Sequence, residues 1–208
     1  MATRARPKPR LTFHALTPER WPDLETLFGE RGACGGCWCM WFRLARASFV
    51  EGKGEGNRRA FRKLVRSGAE PGILAYAGPE AVGWCALAPR EHYPRLERSR
   101  SLAPIDDRPV WSVTCFFVAR AWRRRGVTVE LLKAALRHAR ERGAELVEGY
   151  PSQPAKQGVA DAFAYMGVPS AFLEAGFRVV RRRSKSGRIV RRELRKATPA
   201  PRASRRAG

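Results

Sequence analysis

Residues 113–136 read VTCFFVARAWRRRGVTVELLKAAL, and they contain the sharpest change of pattern in the chain. The stretch 110–118 is rich in β-branched and aromatic residues, which are typical of a central strand. The segment 126–142 is predicted to be an amphipathic helix, because apolar residues recur along one face until Gly143. A further strand is predicted at 145–150. Strand, helix and strand together predict a crossover whose two strands are parallel.

The remaining elements follow from apolar periodicity and turn residues. They are a strand at 11–15, a helix starting at Thr17-Pro18, a helix around 61–65, a hairpin at 73–77 and 81–88, a short helix at 169–175 and a closing hairpin at 177–182 and 188–194. The stretch 90–108 is expected to be irregular. The order β-α-α-β-β-β-α-β-α-β-β predicts a mixed α/β (α+β) fold. Its sheet has six to seven mostly antiparallel strands, with helices on both faces.

The 208 residues, 44% of them apolar, suit one domain at 11–196 and exclude wholesale disorder. Much of the net charge of +22 lies at the two ends, at 1–10 and in the last thirty residues or so. We expect 1–10 and 197–208 to be disordered basic tails. Such tails bind nucleic acid without specificity or are simply solvated, and the bias of 34 arginines over 7 lysines favours neither.

Compartment is inferred from what the sequence lacks. No apolar run approaches the roughly 20 residues that span a bilayer, so no membrane partner is expected. The opening MATRARPKPR has no apolar core of a signal peptide. Five cysteines, an odd number, suggest reduced thiols. These features together predict a cytoplasmic protein.

The junction between the 110–118 strand and the 126–142 helix favours an anion. A helix start leaves backbone N–H groups unpaired and carries partial positive charge. Arg123, Arg124 and Arg125 precede this start, and Gly126 allows close approach of a ligand. The combination suits a pyrophosphate. The alternative is that these Gly and Arg residues belong to an ordinary strand-turn-helix junction that binds no ligand.

The run Arg123-Arg124-Arg125-Gly126-Val127-Thr128 after its strand resembles the acetyl-CoA signature Arg/Gln-x-x-Gly-x-Gly/Ala of GNAT-type (GCN5-related) N-acetyltransferases. Thr128 stands where the family has Gly or Ala. The order of elements from 11 to about 194 is also similar. The resemblance implies direct transfer of acetyl from acetyl-CoA to an amine of a small molecule or protein, with no metal. Members often dimerise, so the resemblance leaves both a monomer and a homodimer open.

The resemblance also implies where the cofactor lies. The strands at 110–118 and 145–150 would splay into a V-shaped cleft. Pantetheine would pair with the backbone near Phe116, Phe117 and Val118, and the diphosphate would rest on N–H groups from Arg124 to Thr128. A backbone N–H at the splay would polarise the thioester carbonyl.

A general base is wanted because amines are mostly protonated at neutral pH. Glu148, on the strand beside the cleft, is the first candidate, and Glu91 and Asp106 are weaker ones. The alternative for Glu148 is a carboxylate on a solvent-facing side of its strand.

The family's usual acid for the thiolate is a tyrosine, and its position here is Phe172. Tyr165 or Ser170 is the predicted substitute, with a packed aromatic as the alternative for Tyr165. Without that acid, a rival function is a catalytically weak CoA-binding regulatory or nucleic-acid-associated protein on the same fold.

The run 34–42 (CGGCWCMWF) contains three cysteines with spacing that suits a metal only at its first pair. A zinc site, a redox pair and a packed apolar loop are the open interpretations of Cys34, Cys37 and Cys39, and a packed loop is favoured. Since the family's acceptor pocket often lies here, Trp38, Met40 and Trp41 are predicted to shape acceptor specificity. The glycine-rich 51–57 is predicted to be a mobile loop on the acceptor side.

Overall fold

A computed structural model describes residues 10–153 and 165–194. The strands are β1 (Leu11–Ala15), β2 (Gly72–Ala77), β3 (Glu80–Pro89), β4 (Trp111–Val118), β5 (Leu146–Gly149), β6 (Arg178–Arg182) and β7 (Arg188–Glu193). The helices are α1 (Trp21–Phe28), α2 (Arg46–Glu51), α3 (Glu55–Arg66), α4 (Pro94–Glu97), α5 (Val127–Glu141) and α6 (Pro169–Glu174). The predicted tails lie outside the described residues, apart from Arg10.

The seven strands form one sheet in the order β1-β2-β3-β4-β5-β7-β6. All neighbouring strands are antiparallel except β4 and β5, which are parallel and joined by α5. The mixed sheet and the crossover predicted at 110–150 are therefore confirmed. The closing hairpin is also present, and its second strand, β7, lies between β5 and β6.

The parallel pair β4–β5 is short, and this opens the sheet. Pairing runs only from Trp111↔Val147 to Val113↔Gly149, whereas β4 continues to Val118. On its other side β4 carries a bulge, because the register passes from Leu87↔Val113 to Ala86↔Cys115 and leaves Thr114 as an extra residue. The C-terminal half of β4 consequently presents an open edge where a continuous sheet would have a neighbour.

Two apolar cores hold the layers together, one on each face of the sheet. Helices α5 and α6 cover one face, where Leu131 and Leu132 are fully buried. Helices α1 and α3 cover the other, where Trp84 and Phe61 are fully buried. A third, smaller cluster around Tyr93 packs the 90–108 stretch against β7 and the chain after β5.

Three local predictions differ from the structure. The stretch 90–108, expected to be irregular, contains a 3₁₀ turn at Arg90–His92 and α4, because Pro94 suits the first turn of a helix. The first helix is preceded by a separate 3₁₀ turn at Pro18–Arg20, so α1 begins only at Trp21. The glycine-rich 51–57 is not a loop throughout, since its ends belong to α2 and α3. Asn57 explains why the 51–57 segment has a fixed conformation. Its buried amide donates to the carbonyls of Gly36 and Phe49, both at 3.2 Å. These two bonds fix the turn between the helices.

Within 10–153 and 165–194, no helix combines the length and apolar character that crossing a bilayer requires.

Candidate functional site

A cleft of about 690 Å³ lies where the sheet opens. Its walls are the second half of β4, the start of α5, and the segment from Tyr165 through α6. It is lined by all but one of the residues predicted to bind the cofactor, namely Phe116, Phe117, Val118, Arg123, Arg124, Gly126, Val127 and Thr128. The splay and the helix start therefore meet in one cavity.

The start of α5 presents unpaired donors to this cleft. Gly126 is the N-cap in a left-handed conformation (φ 78°), and no side chain caps the helix. Among the described residues, no backbone carbonyl accepts from the N–H groups of 124–128. A Cβ built on Gly126 meets no atom within 4 Å, so it would project into open space. Unpaired donors at the positive end of a fifteen-residue helix suit an anion.

The three arginines before the helix differ in position. Arg123 donates from Nε to the Val118 carbonyl at 3.0 Å, which orients its guanidinium along the cleft. Arg124 has a positive φ of 59° and also lines the cleft. Arg125 instead lies over the Trp122 ring, 5.2 Å from its centroid. Thus two of the three predicted arginines face the cavity.

The open edge of β4 is partly occupied by protein. The Phe116 N–H donates to the Tyr165 carbonyl at 2.6 Å, which shows that this N–H points away from β3. By strand alternation, the N–H of Val118 points the same way. The edge therefore offers Val118 to a ligand, while a ligand carbonyl at Phe116 would replace the bond to Tyr165.

Tyr165 is part-buried and lines the cleft beside the β4 edge, and its ring lies 6.5 Å from that of Phe42. Burial raises the pKa of its hydroxyl, and the positive charges of Arg183 and Arg95 act against that rise. The group thus keeps its proton at neutral pH and is able to donate it. The geometry places the predicted acid at the cleft.

The surroundings of Glu148 differ from those expected of a general base beside the cleft. Its carboxylate is fully buried, and both oxygens accept from guanidinium groups: Arg90 Nη1 at 3.1 Å and Arg191 Nε at 2.7 Å. Arg90 also donates to the Tyr150 hydroxyl at 2.7 Å. Glu148 lines a groove next to α4 and is not among the residues that line the β4–α5 cleft. Glu148 is better described as the centre of a buried ion network under the splay.

The two weaker base candidates lie in a different cavity. Glu91 and Asp106 line a groove of about 490 Å³ next to that ion network and are absent from the lining of the β4–α5 cleft. Asp106 accepts from Arg191 Nη1 at 2.6 Å, a bond that lowers the pKa of its carboxyl.

Phe172, in the position where the family has its acid, is fully buried. Its ring packs against Phe116 and Phe177, at centroid distances of 5.9 and 5.0 Å. The same ring fills the space beside Gly149 and Gly167, where added Cβ atoms would lie 2.2 and 2.8 Å from it. This position contributes packing and has no proton to donate.

None of the three predicted acceptor residues is among the residues that line the cleft; the Trp41 ring lies under the Arg95 guanidinium, with its centroid 3.6 Å from the guanidinium carbon. Trp38 and Met40 are each 5% exposed and belong to the core between the sheet and α1. Trp38 stacks on Trp21, with centroids 6.1 Å apart. The physical reason is a turn with positive φ at Trp38 (42°) and Cys39 (55°), which directs these side chains inward.

The cysteines are all free thiols. Burial raises the pKa of Cys37 to about 11. A hydrogen bond with Cys115, together with burial, raises the pKa of Cys39 well above its usual range. Protonated thiols are poor nucleophiles and poor ligands. Across the described ranges, no three Cys, His, Asp or Glu side chains are grouped so as to hold a metal ion.

The family model described as the Acetyltransferase (GNAT) family matches residues 38–160. The chain belongs to the GNAT acetyltransferase family. The match includes β4, the start of α5 and β5, which are the elements around the open edge. A search of curated proteins found no significant sequence match.

Solved structures show the same fold. A GNAT-family acetyltransferase from Listeria monocytogenes is 10% identical with a TM-score of 0.51, over 88% of this chain and 95% of its own. An N-acetyltransferase from Staphylococcus aureus is 8% identical with a TM-score of 0.51, over 89% and 99%. A chain of the NatC complex, bound to Gag peptide and CoA, is 9% identical with a TM-score of 0.50, over 89% and 99%. The fold of this chain is therefore the GNAT fold.

Proposed function

We propose that the protein is an N-acetyltransferase that moves the acetyl group of acetyl-CoA directly to an amine. The observation that carries this proposal is the meeting of an open β4 edge with the uncapped start of α5 in one cleft. An open edge suits an extended amide-containing arm, and an uncapped helix start suits a diphosphate. Coenzyme A contains both, and the NatC structure with the same fold is a CoA complex.

In this proposal the diphosphate accepts from N–H groups of 124–128, with Arg123 and Arg124 beside it. The pantetheine arm pairs with Val118. The thioester carbonyl takes the Phe116 N–H in place of the Tyr165 carbonyl, and this donor stabilises the oxyanion of the tetrahedral intermediate. Gly126 is the position where the backbone approaches the phosphates most closely.

The chemical step needs a free amine and a proton for sulfur. The amine nitrogen attacks the thioester carbon, the C–S bond breaks, and the departing thiolate takes the Tyr165 hydroxyl proton. The attacking nitrogen loses its remaining extra proton as the amide forms, and this proton returns through water to the Tyr165 phenolate. Because Glu148 is held by two guanidinium groups, the ammonium loses its proton to water before attack. Positioning of the two substrates then supplies most of the rate enhancement.

Thiol release from acetyl-CoA over a panel of amines tests the function directly. At least one class of amine is expected to raise thiol release well above the hydrolysis of acetyl-CoA alone. Measurable CoA binding with no amine above that background would contradict the proposal. That outcome would favour the rival, a CoA-binding regulatory protein on this fold.

Tyr165→Phe is expected to lower kcat by about 10- to 100-fold, because it removes the proton donor. It leaves the backbone carbonyl that accepts from Phe116 in place, so CoA affinity should not change. Ser170→Ala removes the alternative predicted donor in the same wall of the cleft and should keep kcat within about twofold; a larger loss would assign the proton to Ser170 instead. Steady-state kinetics and calorimetric CoA binding measure both effects. An unchanged kcat in Tyr165→Phe would remove this residue from the mechanism.

A further inference from the structure

Three arginines beyond the cleft have charges that the described residues do not balance. They are Arg43, Arg95 and Arg183, and each has one buried N–H without an acceptor, namely Nε, Nη1 and Nε respectively. In the described part of the chain, none of them lies within 4 Å of a carboxylate. Buried donors of this kind are normally satisfied, so they point to an absent acceptor.

The contrast with neighbouring arginines makes the feature specific. Arg90, five residues before Arg95, pairs with both Glu97 and Glu148. Arg191 lies on β7, which pairs with β6, the strand that Arg183 directly follows. Arg191 pairs with Glu148 and Asp106. The chain therefore supplies carboxylates to arginines nearby and leaves this group without them.

Aromatic rings hold two of these guanidinium groups in place. The Arg95 guanidinium carbon lies 3.6 Å from the Trp41 ring centroid, and that of Arg43 lies 4.4 Å from the Tyr93 centroid. Arg43 also donates to the Tyr93 hydroxyl at 3.1 Å. Stacked guanidinium groups lose little freedom when they bind a planar or tetrahedral anion. The donors are thus oriented before any ligand arrives.

Burial of charge without a carboxylate partner has an electrostatic cost at Arg95 and Arg183. Burial lowers the pKa of both Arg95 and Arg183, and the positive charge of Arg46 lowers that of Arg95 further. Arg183 donates from Nη2 to the Tyr150 carbonyl at 3.2 Å, which orients it but adds no negative charge. An anion bound between these groups would remove this cost.

Tyr165 connects this group to the site of chemistry. Tyr165 lines the cleft, and its ring lies 6.5 Å from that of Phe42, whose carbonyl accepts from the Arg95 backbone N–H at 3.3 Å. Tyr165 also packs against the cluster that contains Tyr150, the residue to whose carbonyl Arg183 donates. Tyr165 thus lies between the cleft and the cluster that Arg95 and Arg183 contact.

We infer that the acceptor is a small amine that also carries a carboxylate or phosphate group, and that Arg95 and Arg183 bind this anionic group. Arg43 contributes positive charge behind them. This inference rests on the proposed function for the amine and on the unsatisfied guanidinium groups for the anion. It makes Arg95 and Arg183 residues that determine specificity, while acetyl transfer itself remains the work of the cleft.

The experiment uses two matched pairs of amines: β-alanine with propylamine, and phosphoethanolamine with ethanolamine. Millimolar amounts of the anionic members should raise the Tm of the full chain, because ligand binding stabilises the folded state, and the neutral members should not. The better ligand of β-alanine and phosphoethanolamine identifies the anionic group as carboxylate or phosphate. Equal shifts from charged and neutral members would overturn the inference.

Arg95→Met with Arg183→Met is the test variant, since methionine keeps an unbranched apolar stem and removes the charge. Arg98→Met with Arg182→Met, two exposed arginines of the same segments, is the control. The Tm shift should disappear in the first variant and persist in the second. Unchanged CoA affinity in both shows that the fold is intact. A shift that survives in the test variant would contradict the assignment.

Acetyl transfer provides a second readout. In the wild type, kcat/KM should be about 10- to 100-fold higher for the anionic member of a pair, the value of a charge-assisted hydrogen bond pair, and this preference should be lost in the test variant. Anion-dependent Tm shifts with no transfer to any amine would refute the proposed function and leave the anion site standing. Transfer without preference for the anionic member would refute the inference alone.

Discussion

Gly126→Val is expected to weaken CoA binding by about 100-fold or more, the largest effect of any single change in the cleft. At φ 78° a β-branched residue is strained, and its side chain would project into the space where the diphosphate approaches. The proposed donors at 124–128 would then be both displaced and shielded. Isothermal calorimetry with CoA measures the loss.

Gly143→Val is the matched control for this change. Gly143 also has a positive φ (81°) and open space around a built Cβ, but it follows the other end of α5. Both variants should therefore lose similar folding stability, while only Gly126→Val loses CoA affinity. Equal CoA affinity in the two variants would place the cofactor elsewhere.

Glu148→Ala is expected to lower the free energy of unfolding by about 3–5 kcal/mol. The carboxylate side chain is 1% exposed, and its two partners, Arg90 and Arg191, are 8% and 9% exposed. Removing it leaves two buried guanidinium groups facing each other, and each keeps only its partly exposed partner, Glu97 or Asp106. Urea unfolding monitored by circular dichroism gives the difference.

The control for the ion network is Glu193→Ala. Glu193 also accepts from an arginine, with both oxygens 2.8 Å from Arg108, but its side chain is 68% exposed. Its loss should cost far less stability, because solvent screens exposed pairs. Glu148→Gln should keep the pH dependence of kcat/KM unchanged. A marginally destabilised Glu148→Ala, or a pH profile that shifts in Glu148→Gln, would instead restore Glu148 as the general base.

The fold was largely predictable because its decisive elements have strong, separate patterns. β4 is a nearly continuous β-branched and aromatic run, and α5 has a clear apolar face that ends at Gly143. The start of α5 depends on the backbone geometry at Gly126, and a glycine at this position is visible in the sequence. The cleft at Gly126 followed from the same signals.

The acceptor side was less predictable, for physical reasons that particular residues show. Trp38 and Met40 turn inward because of positive φ angles at Trp38 and Cys39, which non-glycine residues seldom adopt. Glu148 is buried because partners distant in sequence, Arg90 and Arg191, reach it across the sheet. The spacing of residues in the sequence predicts neither the inward turn at 38–40 nor the burial of Glu148.

The arginine group was missed for a different reason. In a chain with 34 arginines, Arg95 and Arg183 differ from the others only in what surrounds them. Their lack of carboxylate partners is a property of the folded chain. Among the residues predicted to shape acceptor specificity, only Trp41 contacts one of these two arginines, Arg95.

The crystal structure of the protein with bound CoA tests the central claim most directly. It should show the diphosphate within hydrogen-bond distance of backbone N–H groups in 124–128, and the pantetheine arm along the open edge of β4 at Val118. The Phe116 N–H should still donate to the Tyr165 carbonyl when free CoA is bound. This hydrogen bond should break only when the bound cofactor carries an acyl group. CoA bound outside the β4–α5 cleft, with the start of α5 empty, would contradict the account.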